Sequence, residues 1–159
     1  MAVCRYELVH YASFFQKQSD NNYNTTATYT LLKDGALDVV NTTFSDGEKI
    51  TSHGVAHPLS NDREFRVDFD APDVAKFLSK EEVGARPVPD PTVPNFIVRR
   101  IWLDKHDKYA FALITDADKQ SMWVLSREKH PSQRNYQKVM ACVNTRYDRS
   151  KFLLTPQYT

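Results

Sequence analysis

The chain has 159 residues, enough for one domain with a real core and too few for two ordinary ones. Hydrophobic residues make up 41% and charged residues 26%, with a net charge of +1, so no broad electrostatic case exists for nucleic acid or an anionic membrane surface. No window approaches the uninterrupted apolar run of a membrane span, which leaves only peripheral membrane contact open.

The first twenty residues contain Arg5, Glu7, His10, Lys17 and Asp20, so no signal-peptide apolar stretch is expected there. On that ground a role inside a cell or an assembly is favoured over secretion with the leader removed. From residue 5 onward the dominant pattern is period two, the side-chain alternation of half-buried strands. Residues 5–11 give a first strand. Residues 25–31 alternate Thr26, Thr28 and Thr30 against Ala27, Tyr29 and Leu31. Residues 36–43, 50–57, 63–69 and 96–103 continue the series, rich in the β-branched and aromatic types that suit such surfaces. Residues 109–114 and 121–127 follow, joined by a turn at 115–119. These make eight strands, and short strands in regular succession favour a sandwich or an up-and-down barrel.

The connections choose between the two. Lys33-Asp34-Gly35, residues 59–62 and residues 104–108 are short and turn-forming. Those between them are mostly longer, notably 13–24 and 70–95. In a meander alternate turns lie at opposite ends, so one end is closed by tight hairpins and the other carries loops. Eight strands then make a cup wide enough for one small ligand. Residues 86–94 hold Pro87, Pro89, Pro91 and Pro94 and favour extended polyproline geometry. This stretch reads either as an insertion at a loop tip or as a lid or docking arm at the open end.

A helix is expected over 132–145. Ser132 is its N-cap, Pro131 excludes an earlier start, and Tyr136, Val139, Met140 and Val143 form one apolar stripe. One stripe means one packed face, so the helix lies against the barrel wall. A short strand at 151–154 closes the chain. Cys4 and Cys142 allow one intramolecular pairing, and two buried thiols are the equal alternative. His53 and His57 are roughly 13 Å apart along one strand at about 3.3 Å per residue, too far to share a metal. No nucleophile–base spacing, phosphate loop or dinucleotide fingerprint is present, so neither catalytic residues nor a cofactor nor a metal are expected.

These residues carry a resemblance. Arg5-Tyr-Glu-Leu, Thr26-Ala-Thr-Tyr-Thr-Leu, Lys33-Asp-Gly-Ala-Leu, Gly54-Val-Ala, Ile101-Trp-Leu-Asp104, Met122-Trp-Val-Leu-Ser-Arg127 and Ser150-Lys-Phe152 stand in the order and approximate spacing of the lipocalin family. The chain resembles its apolipoprotein D and bacterial lipocalin branch over nearly the whole length, the proline-rich insertion excepted. The resemblance implies a single all-β domain: an eight-stranded antiparallel barrel, one external helix, a final strand and a calycin-type cavity. It implies binding or transport of a small hydrophobic ligand, a fatty acid, lysophospholipid or similar. The alternative is an accessory subunit docking a protein partner through 71–95.

By the family's register the inward set runs Ala27 and Tyr29, then Val39 and Asn41, then Ser52 and Gly54. Phe65, Val67 and Phe69 continue it, followed by Phe96, Val98, Arg100 and Trp102, and then Ala112, Trp123 and Leu125. Arg99 and Arg100 are adjacent, so alternation sends one of them into the barrel, where a guanidinium would suit a ligand carboxylate or phosphate. One departure is sharp. Lipocalins usually open with Gly-x-Trp, the ring plugging the closed end beneath an arginine that follows the last long strand. Here Val3 and Arg5 take those places while Arg127 is retained. Two guanidiniums would then face each other at the closed end, with Glu7 as a candidate neutralising acid and Trp102 or Trp123 as a substitute ring.

Overall fold

The structure, a computed structural model, describes residues 1–11, 22–70 and 90–158. Among these, eight antiparallel strands form a closed barrel: β1 (Ala2–Tyr11), β2 (Asn22–Leu31), β3 (Leu37–Ser45), β4 (Glu48–Pro58), β5 (Glu64–Phe69), β6 (Phe96–Leu103), β7 (Tyr109–Thr115) and β8 (Met122–Ser126). Helix α1 (Gln133–Asn144) and a ninth strand, β9 (Phe152–Leu154), lie outside that circuit. Each strand pairs with its successor, and β1 closes the ring by serving two neighbours. Its first half pairs with β2, from Ala2↔Thr30 to Tyr6↔Thr26. Its second half pairs with β8, from Tyr6↔Ser126 to His10↔Trp123, across a bulge between Glu7 and Val9. Such a bulge bends a strand from one neighbour toward another.

Where β2 leaves β1, the end of the chain takes its place. β9 pairs with Val9, His10 and Tyr11. Beyond it the Thr155 amide donates to Leu8 O and the Asn24 amide donates to Pro156 O. The Gln157 side-chain amide donates to both Glu7 O (2.7 Å) and Thr25 O (3.2 Å), bridging the two strands where their own ladder has stopped. Backbone carbonyls at an opening barrel seam would otherwise lack donors, and one side chain supplies both.

The tight hairpins fall at one end as expected: Leu32 N donates to Ala36 O, Leu59 N to Glu64 O and Asp104 N to Lys108 O. At the other end the β3–β4 connection is shorter than a meander of long loops implies. Asp46 and Gly47, with φ of 52° and 83°, make a two-residue turn of the kind that hairpins favour, and β3 and β4 run on to meet it.

The helix forms where the pattern predicts. The Ser132 side chain accepts from Asn135 N, satisfying one of the amides that a helix start leaves over, and Thr145 is the C-cap. Val139, Met140 and Val143 are buried against Val9, Leu113, Met122 and Val124, which project outward from β1, β7 and β8. Burying each such side chain contributes roughly 1.5–3 kcal/mol. A second cluster fills the lower barrel: Val39, Ala56 and Val67 with Tyr29, Leu37, Phe65, Phe69 and Phe96 packed on them. Phe96 meets Tyr29 and Phe65 edge-on, with centroids 6.0 and 6.1 Å apart.

Candidate functional site

Above that aromatic floor the barrel is hollow. About 100 Å³ is open to the centre of a water-sized sphere, several times what a single water needs. Three layers of cross-strand neighbours build the β2–β3–β4 wall. The deepest is Tyr29↔Val39↔Gly54, with Phe69 opposite Gly54. Above it come Ala27↔Asn41↔Ser52, and above those Thr25 and Thr43, whose hydroxyls are 2.6 Å apart, with Ile50 opposite Thr43. Val67, Phe96, Ile114, Trp123 and Leu125 line the remaining wall. Polar groups therefore lie toward the mouth and apolar ones toward the floor.

One carboxylate of the described residues lines this space. Glu7 is 4% exposed, and its Oε1 accepts from Thr155 Oγ1 at 2.6 Å and lies 2.9 Å from His10 Nδ1. A buried carboxylate is tolerable only when paired and hydrogen-bonded, and both partners here are themselves buried. Because the β1 bulge shifts alternation between Glu7 and Val9, Glu7 and His10 face the same way instead of opposite ways. The sequence reading put Glu7 with the closed-end arginines; the structure puts it in the cavity wall, bonded to the C-terminal tail. Burial pushes the Tyr29 phenol up, so it is a neutral group of the deepest layer.

Of the residues expected to line the cavity, Ala27, Tyr29, Val39, Asn41, Ser52, Val67, Phe69 and Trp123 do so. Gly54 shares the inward layer, but the space its missing side chain leaves is filled: a Cβ there would lie 2.9 Å from Phe69 Cδ1 and 2.7 Å from Asp68 O. Phe65 packs beneath Phe96 in the floor. Val98 and Ala112 occupy inward register positions beside Ile114 and Leu125 yet sit outside the open volume.

Arg100 requires a correction. A bulge in β6 between Val98 and Arg100 resets the alternation, so Ile101, opposite Ala112, takes the inward position. Arg100 and Trp102 turn outward with Leu113 and Phe111. Arg100 is exposed; its Nη1 donates to Cys142 Sγ at 3.0 Å on the helix, and its guanidinium lies 5.0 Å from the centre of the Trp102 ring. Arg99 does not enter the barrel either: its Nε donates to Thr115 Oγ1 and its Nη2 to Asp116 O. Alternation guarantees an inward arginine only in an unbroken strand, and the bulge breaks it at this pair. Trp102 is thereby excluded as the missing floor ring, and Trp123 lies in the cavity wall. Cys4 and Cys142 are both free thiols, Cys4 exposed on β1 and Cys142 held by Arg100.

Sequence reasoning missed Thr25, Thr43, Ile50 and Ile114 in the lining. Ile114 was legible by carrying the alternation one step on from Ala112. Thr25, Thr43 and Ile50 were legible in the same way, each two residues from Ala27, Asn41 and Ser52 on its own strand. Of the 70–95 connection, residues 71–89 lie outside the described ones. At its end Asn95 clamps β5 by accepting from Val67 N (2.7 Å) and donating to Val67 O (2.8 Å). Among the described residues no group of three or more His, Cys, Asp or Glu could hold a metal ion, and no helix is long and apolar enough to cross a membrane.

A barrel of this topology, hollow at one end and flanked by one helix, matches a known family. The model of the lipocalin-like domain matches residues 5–157. The chain belongs to the lipocalin family. Temperature-induced lipocalin-1 of Arabidopsis thaliana is 32% identical over 157 residues, covering 96% of this chain and 74% of that protein. Among solved structures, lobster apocrustacyanin A1 aligns with a TM-score of 0.61 at 12% identity, over 99% of this lipocalin and 77% of that chain. The siderocalin Ex-FABP, described as working through dual ligand specificities, aligns with a TM-score of 0.62 at 13% identity, over 99% and 95%. Likeness at such identities is likeness of fold. Lipocalins are generally binding and transport proteins, and the fold implies a small hydrophobic ligand.

Proposed function

We propose that this lipocalin is a carrier that takes an elongated apolar molecule tail first, leaving its polar end at the mouth. The observation that supports this is the layering of the cavity. Tyr29, Val39, Phe69 and Phe96 surround the deep end, whereas Thr25, Thr43, Asn41 and Ser52 offer hydroxyl and amide groups nearer the opening. No arginine or lysine of the described residues lines the space, and its one carboxylate, Glu7, is bonded to Thr155 and His10. A ligand carboxylate or phosphate gains nothing by entering first. An alkyl tail does, at roughly 0.8 kcal/mol for each methylene buried. A fatty acid, a lysophospholipid and a fatty alcohol of equal chain length all satisfy this geometry, because the head group stays in water.

The two tryptophans make the test direct. Trp123 lines the cavity and Trp102 packs outside it, so Trp102→Phe leaves one reporter in the site. Titration with a long-chain alcohol and with the fatty acid of equal length should change its emission saturably at micromolar concentrations, with affinities within about tenfold of each other. A fluorescence that responds to neither sinks the carrier reading. A response to the acid alone sinks the tail-first orientation.

A further inference from the structure

The closed end of the barrel holds two cations that no carboxylate of the described residues pairs with. Carrying the β1–β8 register (Tyr6↔Ser126, Glu7↔Leu125) one step on sets Arg5 directly opposite Arg127. Glu7 and Leu125 both face the cavity, and side chains alternate, so Arg5 and Arg127 face inward beneath it. Like charges opposite one another on an antiparallel pair are destabilising. Both arginines are half-buried. No carboxylate oxygen of a described residue lies within 4.0 Å of either guanidinium. Glu7 is engaged with Thr155 and His10. Asp104, the acid whose carboxylate feels Arg127, accepts instead from the His106 and Lys108 amides.

Among the described residues each guanidinium is anchored once, to a backbone carbonyl. Arg5 Nη1 donates to Cys4 O at 2.9 Å, and Arg127 Nε donates to Tyr109 O at 2.7 Å. These anchors fix the two planar groups and leave the Nη edge of Arg127 and the Nε–Nη2 edge of Arg5 for another acceptor. A guanidinium edge matches two oxygens of a carboxylate or phosphate. Burial and the neighbouring Arg127 charge hold Arg5 below its ordinary pKa, as expected of a cation facing another without a counter-ion.

We propose that Arg5 and Arg127 form an oxyanion site at the closed end, separate from the apolar cavity, that takes a phosphate group between them. A phosphate carries about two negative charges near pH 7 and so neutralises both arginines at once. Free phosphate and the phosphate of a lipid head group share this chemistry.

The test uses the full chain and two probes. The first compares thermal unfolding in sodium phosphate with that in sodium chloride at matched ionic strength. The second measures co-sedimentation with phosphatidylcholine vesicles with and without phosphatidic acid. The wild type should melt higher in phosphate, and Arg5→Met and Arg127→Met should lose that rise, with affinity for phosphate at least about tenfold weaker. Binding only to phosphatidic acid vesicles, lost in the same variants, would support the site and identify a lipid head group as the source. No response to either probe, or variants that respond as the wild type does, would overturn it. Should a variant fail to fold, the Nε–H resonances of Arg5 and Arg127 in the wild type decide the matter: phosphate must shift both, and resonances that stay still refute the site.

Discussion

The ring of Phe69 lies where a side chain at Gly54 would have to go. These two residues are cross-strand partners on β4 and β5, and a Cβ on Gly54 would come within 2.9 Å of Phe69 Cδ1 and 2.7 Å of Asp68 O. One neighbour is a ring that can shift; the other is backbone and cannot move alone. Gly54→Ala should therefore destabilise the protein by about 1–3 kcal/mol, the usual cost of overpacking. Urea unfolding of the two proteins measures this, and an unchanged midpoint would show that the strands part freely at that point.

The tail provides a second prediction. Thr155 Oγ1 donates to buried Glu7 Oε1 and also lies 2.9 Å from His10 Nδ1. Thr155→Val keeps the shape and removes the hydroxyl, so buried Glu7 loses one hydrogen-bond partner. The expected loss is about 1–3 kcal/mol, the penalty for a buried group deprived of its hydrogen bond. Gln157→Leu, which removes the donor shared by Glu7 O and Thr25 O, should speed amide exchange at the β1–β2 seam near the mouth while leaving the closed end protected.

The outer face of β4 gives a pH dependence. His53 Nδ1 lies 3.0 Å from Asp70 Oδ2, and its Nε2 is hydrogen-bonded to Asp38. Hydrogen bonds to Asp38 and then to Asp70 raise the His53 pKa above its ordinary 6.5. The folded protein thus holds this proton more tightly than the unfolded chain does. The stabilisation is fully present below about pH 6.5 and is lost as pH rises through the higher folded value. The wild type should lose stability relative to His53→Gln as pH rises from about 6.5 through the higher folded value. A difference that stays constant over that window would mean the pair of aspartates does not favour the imidazolium.

Much of this architecture was legible in the residues, and the failures have identifiable physical causes. The helix was readable to its caps because Ser132, Pro131 and the stripe from Tyr136 to Val143 are local signals that tertiary packing reinforced. The hairpins at the closed end were equally local. The side chains put on the wrong face, Arg100 and Trp102, both follow a break in the β6 ladder. A bulge adds one residue without any compositional mark here, and every side chain beyond it changes face. Gly54 failed differently. Its smallness suggested open space, but what it accommodates is the approach of Phe69, which only the β4–β5 register reveals.

The account stands on the hollow between the aromatic floor and the mouth. Its most direct test is competition for a neutral fluorescent probe, N-phenyl-1-naphthylamine, in the wild type and in Ala27→Trp, a change that fills the middle layer of the lining. The wild type should bind the probe saturably at micromolar concentrations and release it to a long-chain alcohol, while a folded Ala27→Trp protein should bind at least about tenfold more weakly. A probe that never saturates, or that the filled variant binds equally well, would contradict the existence of a usable cavity.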